Sequence, residues 1–202
     1  SQVVIPEVSL NPTRVAFLDV LRRMGASLRV ELQDDGWEPR GTVTATAGTL
    51  RGTTVAPSEV PSLIDEIPIL MVAACAAQGP TRFEGVGELQ VKETDRLRSM
   101  TEGLRLLGAD VTVEPPVCRP DGTGRPDTVV VTPSRLHGGT VESFGDHRTA
   151  MSLAIAGLLA SGGTRIRGAE CVAKSLETFF ELLSSLTAPG TVNSIDNAQT
   201  PC

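Results

Sequence analysis

The sequence predicts a mixed α/β domain in which apolar helices lie between sheets and amphipathic helices lie on the outside. Three observations support this fold class. Strand-like and helix-like segments alternate along the chain. Residues 69–77 and 149–160 are apolar on every face, which is typical of buried helices, whereas 94–107 and 176–186 are apolar on one face only. The sequence also repeats itself at an interval of about 80 residues, as a duplicated α/β unit would.

The repeat is carried by two pairs of aligned segments. Residues 21–31 align with 104–114, and residues 79–85 align with 162–168. In each copy a buried helix is followed by a strand, an amphipathic helix and further strands. The repeated unit therefore places buried helices between sheets.

Glycines, prolines and the period of the apolar residues set the predicted order of the elements. The first part is predicted to contain strands at 1–10, 28–31, 42–46 and 50–55, a helix with the apolar stripe Val15, Leu18, Leu21 and Met24, a polar turn at 34–40, and the first buried helix, with Pro68 in its first turn. The second part is predicted to contain strands at 81–84, 111–114, 128–132, 140–142 and 164–167, the other three helices, a Pro/Gly-rich loop at 115–126 and an irregular tail at 188–202.

Composition excludes several classes of protein. With 40% hydrophobic and 21% charged residues, the 202-residue chain has the composition of a globular domain with a sizeable core. A formal net charge of −6, with one Trp, five Phe and no Tyr, argues against nucleic-acid binding. No apolar run approaches the roughly 18–20 residues of a membrane span. The chain opens on Ser1 and Gln2 without a methionine, so we expect a fragment or an excised domain. Its start also carries no secretory or organellar signal pattern.

The cysteines indicate the redox environment. They form no Cys-x-x-Cys pair, and the chain has only two histidines, so we expect no zinc site. Cys75 lies in the apolar segment 69–77, where a buried free thiol is expected. A reducing cytoplasm fits this pattern best. The four cysteines are Cys75, Cys118, Cys171 and Cys202.

The helix that starts near Thr94 carries cations where a helix disfavours them. An extended run is predicted to stop just before this start. Cations near a helix N-terminus are disfavoured by roughly 0.3–1 kcal/mol, because the unpaired N–H groups carry partial positive charge. Lys92 and Arg96 break this rule. One interpretation is a bound phosphate or carboxylate; the other is a solvated charged turn in which Glu93 and Asp95 balance the cations.

Several corresponding positions in the sequence also carry a cation at a predicted helix start. If these starts converge, the cations and backbone N–H groups would form one anion-binding basin. The structural alternative is that each cation tethers a neighbouring strand end, and we favour that alternative for Arg14, whose helix is ordinary and amphipathic. The cations are Arg14, Lys92 with Arg96, Arg148 and Lys174.

Acidic residues lie beside these cations. A nearby cation keeps a carboxylate ionised, whereas burial near another carboxylate raises its pKa, so any of Asp65, Glu93 and Asp146 could act as an acid or base. The sequence leaves that choice open. His147 is either a hydrogen-bonded junction residue or a substrate contact, and His137 is interpreted as a turn residue. Three other acids are interpreted as solvated or structurally paired: Glu66, Asp95 and Glu142.

Four segments together resemble the C-terminal half of the EPSP synthase family, the 3-phosphoshikimate 1-carboxyvinyltransferases. The resemblance covers residues 3–187, and the order of the four segments makes it more specific than any one of them. They are 64–68 (Ile-Asp-Glu-Ile-Pro), 91–97 (Val-Lys-Glu-Thr-Asp-Arg-Leu), 145–151 (Gly-Asp-His-Arg-Thr-Ala-Met) and 173–175 (Ala-Lys-Ser).

The resemblance implies a fold and a domain organisation. The fold would be an inside-out α/β barrel of repeated βαβαββ units, with buried helices surrounded by sheets. Residues 1–187 would be the C-terminal domain of a two-domain enzyme, and 188–202 an irregular tail. The family's first half is absent from this sequence, so an unfilled sheet edge is expected, which dimerisation or the tail would cover.

The resemblance also implies an activity. The family transfers the enolpyruvyl group of phosphoenolpyruvate to the 5-hydroxyl of shikimate 3-phosphate and releases phosphate, in the pathway to aromatic amino acids and chorismate. It uses no metal or organic cofactor. The chain alone is expected to be inactive, because half of the site would come from the missing N-terminal domain.

Residue roles follow from the same resemblance. Arg96, Arg148 and Lys174 would bind the phosphate and carboxylate of phosphoenolpyruvate. Asp65 and Lys92 would contact shikimate 3-phosphate, with Asp65 near the attacking hydroxyl. Glu93 would be the residue that transfers a proton at the methylene carbon. His147 joins the expected site as a substrate contact because of its own position in the sequence, and not through the resemblance.

Two other functions remain as alternatives. The related UDP-N-acetylglucosamine enolpyruvyl transferase shares the fold and the phosphoenolpyruvate chemistry, but it lacks the signatures at 92–96 and 146–151. A non-catalytic anion-binding module of the same fold is the other alternative. An intact first half in the parent gene would favour the enzyme over the module.

Overall fold

Residues with special backbone conformations separate short strands and helices in the computed structural model, which describes residues 1–114 and 128–193. Gly25 and Gly108 adopt positive φ values of 90° and 87° directly after two amphipathic helices, as the glycine stop signals predict. The elements are β1 (Gln2–Ser9), α1 (Ala16–Arg23), β2 (Ser27–Asp34), β3 (Arg40–Thr46), β4 (Thr54–Val55), α2 (Ile67–Cys75), β5 (Thr81–Phe83), α3 (Arg96–Leu106), β6 (Asp110–Val113), β7 (Val129–Thr132), β8 (Thr140–Glu142), α4 (His147–Leu159), β9 (Arg165–Arg167) and α5 (Phe179–Ser185).

The described strands form three sheets. In the first, β3 lies between β1 and β2 and is antiparallel to both. In the second, the order is β4-β5-β7-β6, with β4 parallel to β5 and the other neighbours antiparallel. In the third, β8 pairs with β9 in parallel. Both parallel pairs are joined through a helix, α2 in one case and α4 in the other, because parallel neighbours need a crossover connection.

The core is built around α2 and α4, which pack against each other and against α3. Every residue of α2 is buried or partly buried, as its uniform apolarity predicts. In α4 the buried part ends before the last turn, where Leu158 and Leu159 are exposed. By contrast, α1 and α3 expose charged residues on one side. The mixed α/β class and the two kinds of helix are therefore confirmed.

The predicted strands and helices are confirmed, with three corrections. Regular strand pairing in the segment 50–55 is limited to β4. Before β4 the chain forms only an isolated bridge between Arg51 and Gln78, where the Gly52 N–H donates to the Gln78 carbonyl. The last helix, predicted at 176–186, begins only at Phe179, after a turn closed by its N–H and the Leu176 carbonyl. The run before the Lys92 junction is not extended but a 3₁₀ helix, Val86–Val91.

This 3₁₀ helix has a counterpart directly after the matching segment, 162–168, of the sequence repeat. Gly85 has φ 73° before Val86–Val91, and Gly168 has φ 69° before the 3₁₀ helix Ala169–Lys174. A left-handed residue turns the chain sharply, and glycine adopts this conformation at no steric cost. The aligned segments therefore share their local structure, although the sequence pattern did not predict 3₁₀ helices.

Several predicted features lie wholly or partly outside the described residues. The Pro/Gly-rich loop at 115–126 and the residues Cys118 and Cys202 are among them. The described part of the tail, 188–193, contains turns and bends but no helix or strand. Across 1–114 and 128–193, no helix is long and apolar enough to cross a membrane.

Replacing Gly52 by alanine is expected to lower the free energy of unfolding by about 1–3 kcal/mol, as overpacking does. A Cβ atom at Gly52 would lie 2.1 Å from the carbonyl oxygen of Pro80 and 2.6 Å from that of Gly79. These are backbone atoms next to β5, so they cannot rotate away. Urea unfolding followed by circular dichroism measures the change. Gly48→Ala is the control, because its Cβ would have no atom within 4 Å. An equal effect of both replacements would contradict this prediction.

Candidate functional site

The first turns of α3 and α4 meet the segment that precedes α2. Arg96 is the first residue of α3, Asp146 is the N-cap of α4, and Asp65 lies two residues before α2. Side chains from these three places are joined by hydrogen bonds and ion pairs. The predicted convergence of helix starts is therefore observed for α3 and α4.

Arg96 lies at the centre of this cluster with only 2% of its surface exposed. Its Nε donates to Asp146 Oδ2 at 2.8 Å, and one terminal nitrogen donates to Asp65 Oδ1 at 3.3 Å. The other terminal nitrogen lies 3.8 Å from Glu93 Oε2. The guanidinium therefore faces three carboxylates: one at the start of α4, one before α2 and one just before α3.

Asp146 has no exposed surface, and its side chain accepts hydrogen bonds from backbone N–H groups in the first turn of α4. Its Oδ1 accepts from the backbone N–H groups of Arg148 and Thr149 at 2.8 and 3.1 Å. Its Oδ2 accepts from Arg96 and from the hydroxyl of Thr94 at 3.2 Å. Burial alone would raise the pKa of Asp146, but the hydrogen bonds from Arg96 and the backbone outweigh burial and hold the pKa below its usual range.

Arg148 and the acids before α2 form the open side of the cluster. One terminal nitrogen of Arg148 lies 3.1 Å from Asp65 Oδ2, and the other donates to the Asp65 carbonyl at 3.2 Å. Glu66 lies 3.9 Å from Arg148. Burial raises the pKa of Glu66, while Arg148 opposes that rise and Asp65 adds to it. Asp65 thus bridges Arg96 and Arg148 through its two oxygens.

Glu93 and His147 form a second open side. The Nδ1 of His147 lies 3.4 Å from Glu93 Oε2. The Glu93 side chain is 62% exposed, and the His147 side chain is mostly buried. Glu93 therefore touches both the imidazole and the Arg96 guanidinium while remaining accessible to solvent.

Lys92 and Lys174 are exposed, and neither makes an ion pair with any residue in 1–114 or 128–193. The prediction that they lie at helix starts is wrong. Lys92 directly follows the 3₁₀ helix Val86–Val91, and Lys174 is the last residue of the 3₁₀ helix Ala169–Lys174. Within the described residues no ion pair neutralises either charge, so both cations remain available to an anion.

The preferred interpretation of Arg14 as a tether is not supported. Its side chain is exposed, and in the part of the chain that the structure describes it makes no hydrogen bond or ion pair. The positive charge of Arg14 instead acts on Glu66, where it lowers the pKa against the effect of burial. Arg14 therefore belongs to the electrostatic surroundings of the cluster.

Carboxylates lie against the cation in the first turn of α3. The sequence offered Glu93 and Asp95 as balancing acids. The short contact of Arg96 is instead with Asp146, and Asp95 caps α3 by accepting from the N–H of Arg98 at 2.9 Å. The structural interpretation of Asp95 is confirmed.

Among the described residues, one group of side chains could offer several ligand atoms to a metal ion. The ligand atoms of Glu93, Asp146 and His147 lie within 4.8 Å of one another. However, both oxygens of Asp146 already accept hydrogen bonds, and Arg96 lies against Asp146 and Glu93. A metal ion would have to displace the Arg96 guanidinium, so these oxygen atoms fit that side chain as their cation and not a metal ion.

The stability conferred by Asp146 is expected to depend on acid pH. Because its folded-state pKa is depressed, this contribution is fully present above the unfolded value near about pH 4 and is lost as the pH falls through the folded value. The unfolding free energies of the wild type and Asp146→Asn should differ most at neutral pH and converge in acid. Urea unfolding over a pH series measures the difference, and a pH-independent difference would refute the expectation.

Sequence reasoning found most of the clustered residues but not their connections. It named Asp65, Glu93, His147 and Arg148, which the structure brings together around Arg96. It left Asp146 as one of three candidate acids. The signal that could have identified its structural role is its place immediately before an apolar helix, where aspartate is a preferred N-cap.

Comparisons with known proteins identify the family of this chain. The sequence profile of EPSP synthase (3-phosphoshikimate 1-carboxyvinyltransferase) matches residues 1–183. A 3-phosphoshikimate 1-carboxyvinyltransferase of Roseiflexus sp. (strain RS-1) is 47% identical over 178 residues, which are 88% of this chain and 39% of that protein. The EPSP synthase structure of Acinetobacter baumannii superposes with a TM-score of 0.82 and 36% identity over 93% of this chain and 42% of that one.

A more distant structure shows the breadth of the fold. The enolpyruvyl transferase NikO of Streptomyces tendae superposes with a TM-score of 0.66 at 22% identity, over 92% of this chain and 38% of that one. The chain thus spans about two fifths of the length of these relatives. The match over residues 1–183 shows that the chain belongs to the EPSP synthase family.

Proposed function

We propose that this chain forms one wall of an EPSP synthase active site and that the N-terminal half of the same enzyme supplies the other. The reaction would transfer enolpyruvyl from phosphoenolpyruvate to the 5-hydroxyl of shikimate 3-phosphate and release phosphate. The observation that carries this proposal is the pair Arg96 and Arg148, bridged by Asp65 at the meeting point of three segments within the family match.

The domain assignment is part of the proposal. Residues 1–187 would be the C-terminal domain, and 188–202 an irregular tail. Buried α2 and α4 with three surrounding sheets are compatible with an inside-out barrel of repeated units. The first and third sheets have fewer strands than the second, so the N-terminal half would complete the domain at their open edges.

The arginines suit an anionic ligand. Planar guanidinium groups bind carboxylates and phosphates through two parallel hydrogen bonds. Arg148 offers both terminal nitrogens at the accessible side, and Lys174 adds a cation without an ion pair in the described chain. Arg96 would offer phosphoenolpyruvate its terminal nitrogens, which make the longer contacts of its guanidinium.

The second substrate would meet Lys92 and Asp65. Lys92 is exposed and would bind the phosphate of shikimate 3-phosphate or a neighbouring oxygen. Asp65 would accept the proton of the attacking 5-hydroxyl, since its carboxylate lies beside both arginines and keeps 28% of its side chain exposed. The oxygen would then attack C2 of phosphoenolpyruvate.

Proton transfer at carbon would fall to Glu93. Addition of the oxygen to C2 requires a proton at the methylene carbon, which becomes a methyl group in the tetrahedral intermediate. Loss of phosphate then requires removal of a proton from that methyl group. Glu93 is exposed and contacts His147, so the carboxyl could give and retake this proton while His147 contacts the substrate.

Reconstitution tests the proposed function. We expect the purified chain to release no phosphate from the two substrates, and expect turnover when the separately expressed N-terminal half of the same enzyme is added. The Arg148→Ala chain, once circular dichroism has shown that it is folded, is the negative control, because it lacks a residue proposed to bind phosphoenolpyruvate. Turnover by the chain alone, or anion binding without turnover after addition of the first half, would count against the proposal; the second result would favour a binding module.

A further inference from the structure

Asp146 differs from the other acids of the cluster because it cannot reach a ligand. It has no exposed surface, whereas Asp65 and Glu93 both retain accessible side-chain area. Each of its oxygens accepts two hydrogen bonds, from the N–H groups of Arg148 and Thr149 on one side and from Thr94 and Arg96 on the other; the contacts are 2.8, 3.1, 3.2 and 2.8 Å. Both oxygens of this carboxylate are therefore occupied by hydrogen bonds from within the protein.

A role for Asp146 in proton transfer is therefore excluded. Its hydrogen bonds keep its pKa below the usual range, so it carries no proton to give at neutral pH. It also has no exposed surface at which a substrate could contact it. Of the three acids that the sequence left open, only Asp65 and Glu93 keep the exposure that acid–base chemistry requires.

The geometry of Arg96 shows what Asp146 does instead. Nε is the guanidinium nitrogen nearest the side-chain stem, and its 2.8 Å bond to Asp146 is the shortest of the three contacts. A bond at Nε restricts the plane of the group, and the terminal nitrogens make their contacts with other carboxylates. Those nitrogens point towards Asp65 and Glu93, the side of the cluster that also contains Arg148 and His147.

We propose that Asp146 is a positioning residue that orients the Arg96 guanidinium and presents its two terminal nitrogens to the anionic ligand. Asp146 acts only through Arg96 and does not touch the substrate. The same carboxylate caps α4 through the N–H of Arg148, so one group sets the positions of both arginines. The inference rests on the proposed function only for the identity of the ligand.

Asp146→Asn tests this role with little change of shape. Asparagine is a good N-cap, so its carbonyl oxygen can still accept from the start of α4. Its amide nitrogen then faces Arg96 Nε, and two donors cannot bond to each other. Asp95→Asn is the matched control, because it makes the same change at the N-cap of α3, on an exposed residue bonded to the N–H of Arg98.

The first measurement needs no ligand. In ¹⁵N NMR spectra of the chain, the Arg96 Nε–H of the wild type should exchange slowly with water because it is buried and bonded. In Asp146→Asn its exchange should accelerate about tenfold or more, since a buried N–H that has lost its acceptor is less protected from exchange with water. Asp95→Asn should leave the rate unchanged. An unchanged rate in Asp146→Asn would overturn the proposal.

The second measurement titrates inorganic phosphate and phosphoenolpyruvate while the arginine resonances are followed. Asp146→Asn should weaken the affinity seen at Arg96 by about 10–100-fold, because misplacement of a charged hydrogen-bonding group by ~1 Å has effects of this size. Asp95→Asn should bind as the wild type does. Undiminished affinity in a variant with accelerated exchange would overturn the positioning role.

Two further outcomes are distinguishable. If neither anion moves the resonances of the wild type, the proposed anion site fails, and the exchange rate alone decides whether Asp146 holds Arg96. If Asp146→Asn does not fold, Arg96→Lys replaces it, because lysine keeps the charge but has no Nε–H donor. Positioning then predicts that Arg96→Lys loses affinity by the same factor, whereas wild-type affinity in this variant would contradict it.

Discussion

Replacing Asp65 by asparagine is expected to lower the turnover of the reconstituted enzyme by about 10²–10⁴-fold, the usual contribution of a general base. An amide cannot accept the hydroxyl proton. The replacement also removes the negative charge that lies 3.3 and 3.1 Å from nitrogens of Arg96 and Arg148. The Asp65 carboxylate would then no longer compete with phosphoenolpyruvate for the two arginines. The KM for phosphoenolpyruvate should therefore fall or stay unchanged while kcat falls. Initial rates of phosphate release at varied phosphoenolpyruvate give both constants.

Asp19→Asn is the control for this experiment. Asp19 is an exposed residue of α1 that pairs with Arg22 at 2.7 Å and has no contact with the cluster. Its replacement should leave both kinetic constants unchanged. A wild-type kcat in Asp65→Asn would remove Asp65 from the proposed chemistry, and a rise of KM with an unchanged kcat would make it a binding residue only.

Replacing Leu153 by alanine is expected to lower the free energy of unfolding by about 2–5 kcal/mol, because buried leucines leave a cavity that the structure fills only in part. Leu153 has no exposed surface and lies at the contact of α4 with α3. Its side chain lies so close to Gly103 that a Cβ on Gly103 would be 2.9 Å from it. Such a loss is a large part of the 5–15 kcal/mol that typically stabilises a domain. Urea unfolding measures it.

Leu159→Ala supplies the comparison on the same helix. Leu159 is 48% exposed in the last turn of α4, so its truncation removes little buried surface. We expect its effect to be well below that of Leu153→Ala. If the two replacements were equally destabilising, α4 would not be the buried central helix described here.

The helices were predictable because their signals are local. Uniform apolarity marked α2 and α4 as buried, and the stripe that ends at Gly25 marked α1 as amphipathic. Pro68 lies in the first turn of α2, where a backbone N–H would have no partner within the helix, so proline costs no hydrogen bond there. Such signals lie within a few residues of the feature that they predict.

The connections between segments were not predictable in the same way. Arg96 finds its main partner in Asp146, which is remote in sequence, and a pattern within one helix start cannot identify such a partner. The nearby acids Glu93 and Asp95 were the natural candidates, yet one makes a long contact and the other caps its own helix. The 3₁₀ helices were missed because their residues, such as Val86–Val91, carry no period that separates them from a short strand.

The shortness of the parallel strands governs how the domain can open. β4 and β5 pair through two residues on the β4 side, and β8 and β9 pair through three. Strand pairs of this length do not persist in water by themselves, so they depend on the helix that connects them. Each strand–helix–strand segment must therefore come apart as a cooperative unit. Partial opening that frees a strand while its helix stays in place is disfavoured, which limits the exposure of new strand edges to aggregation.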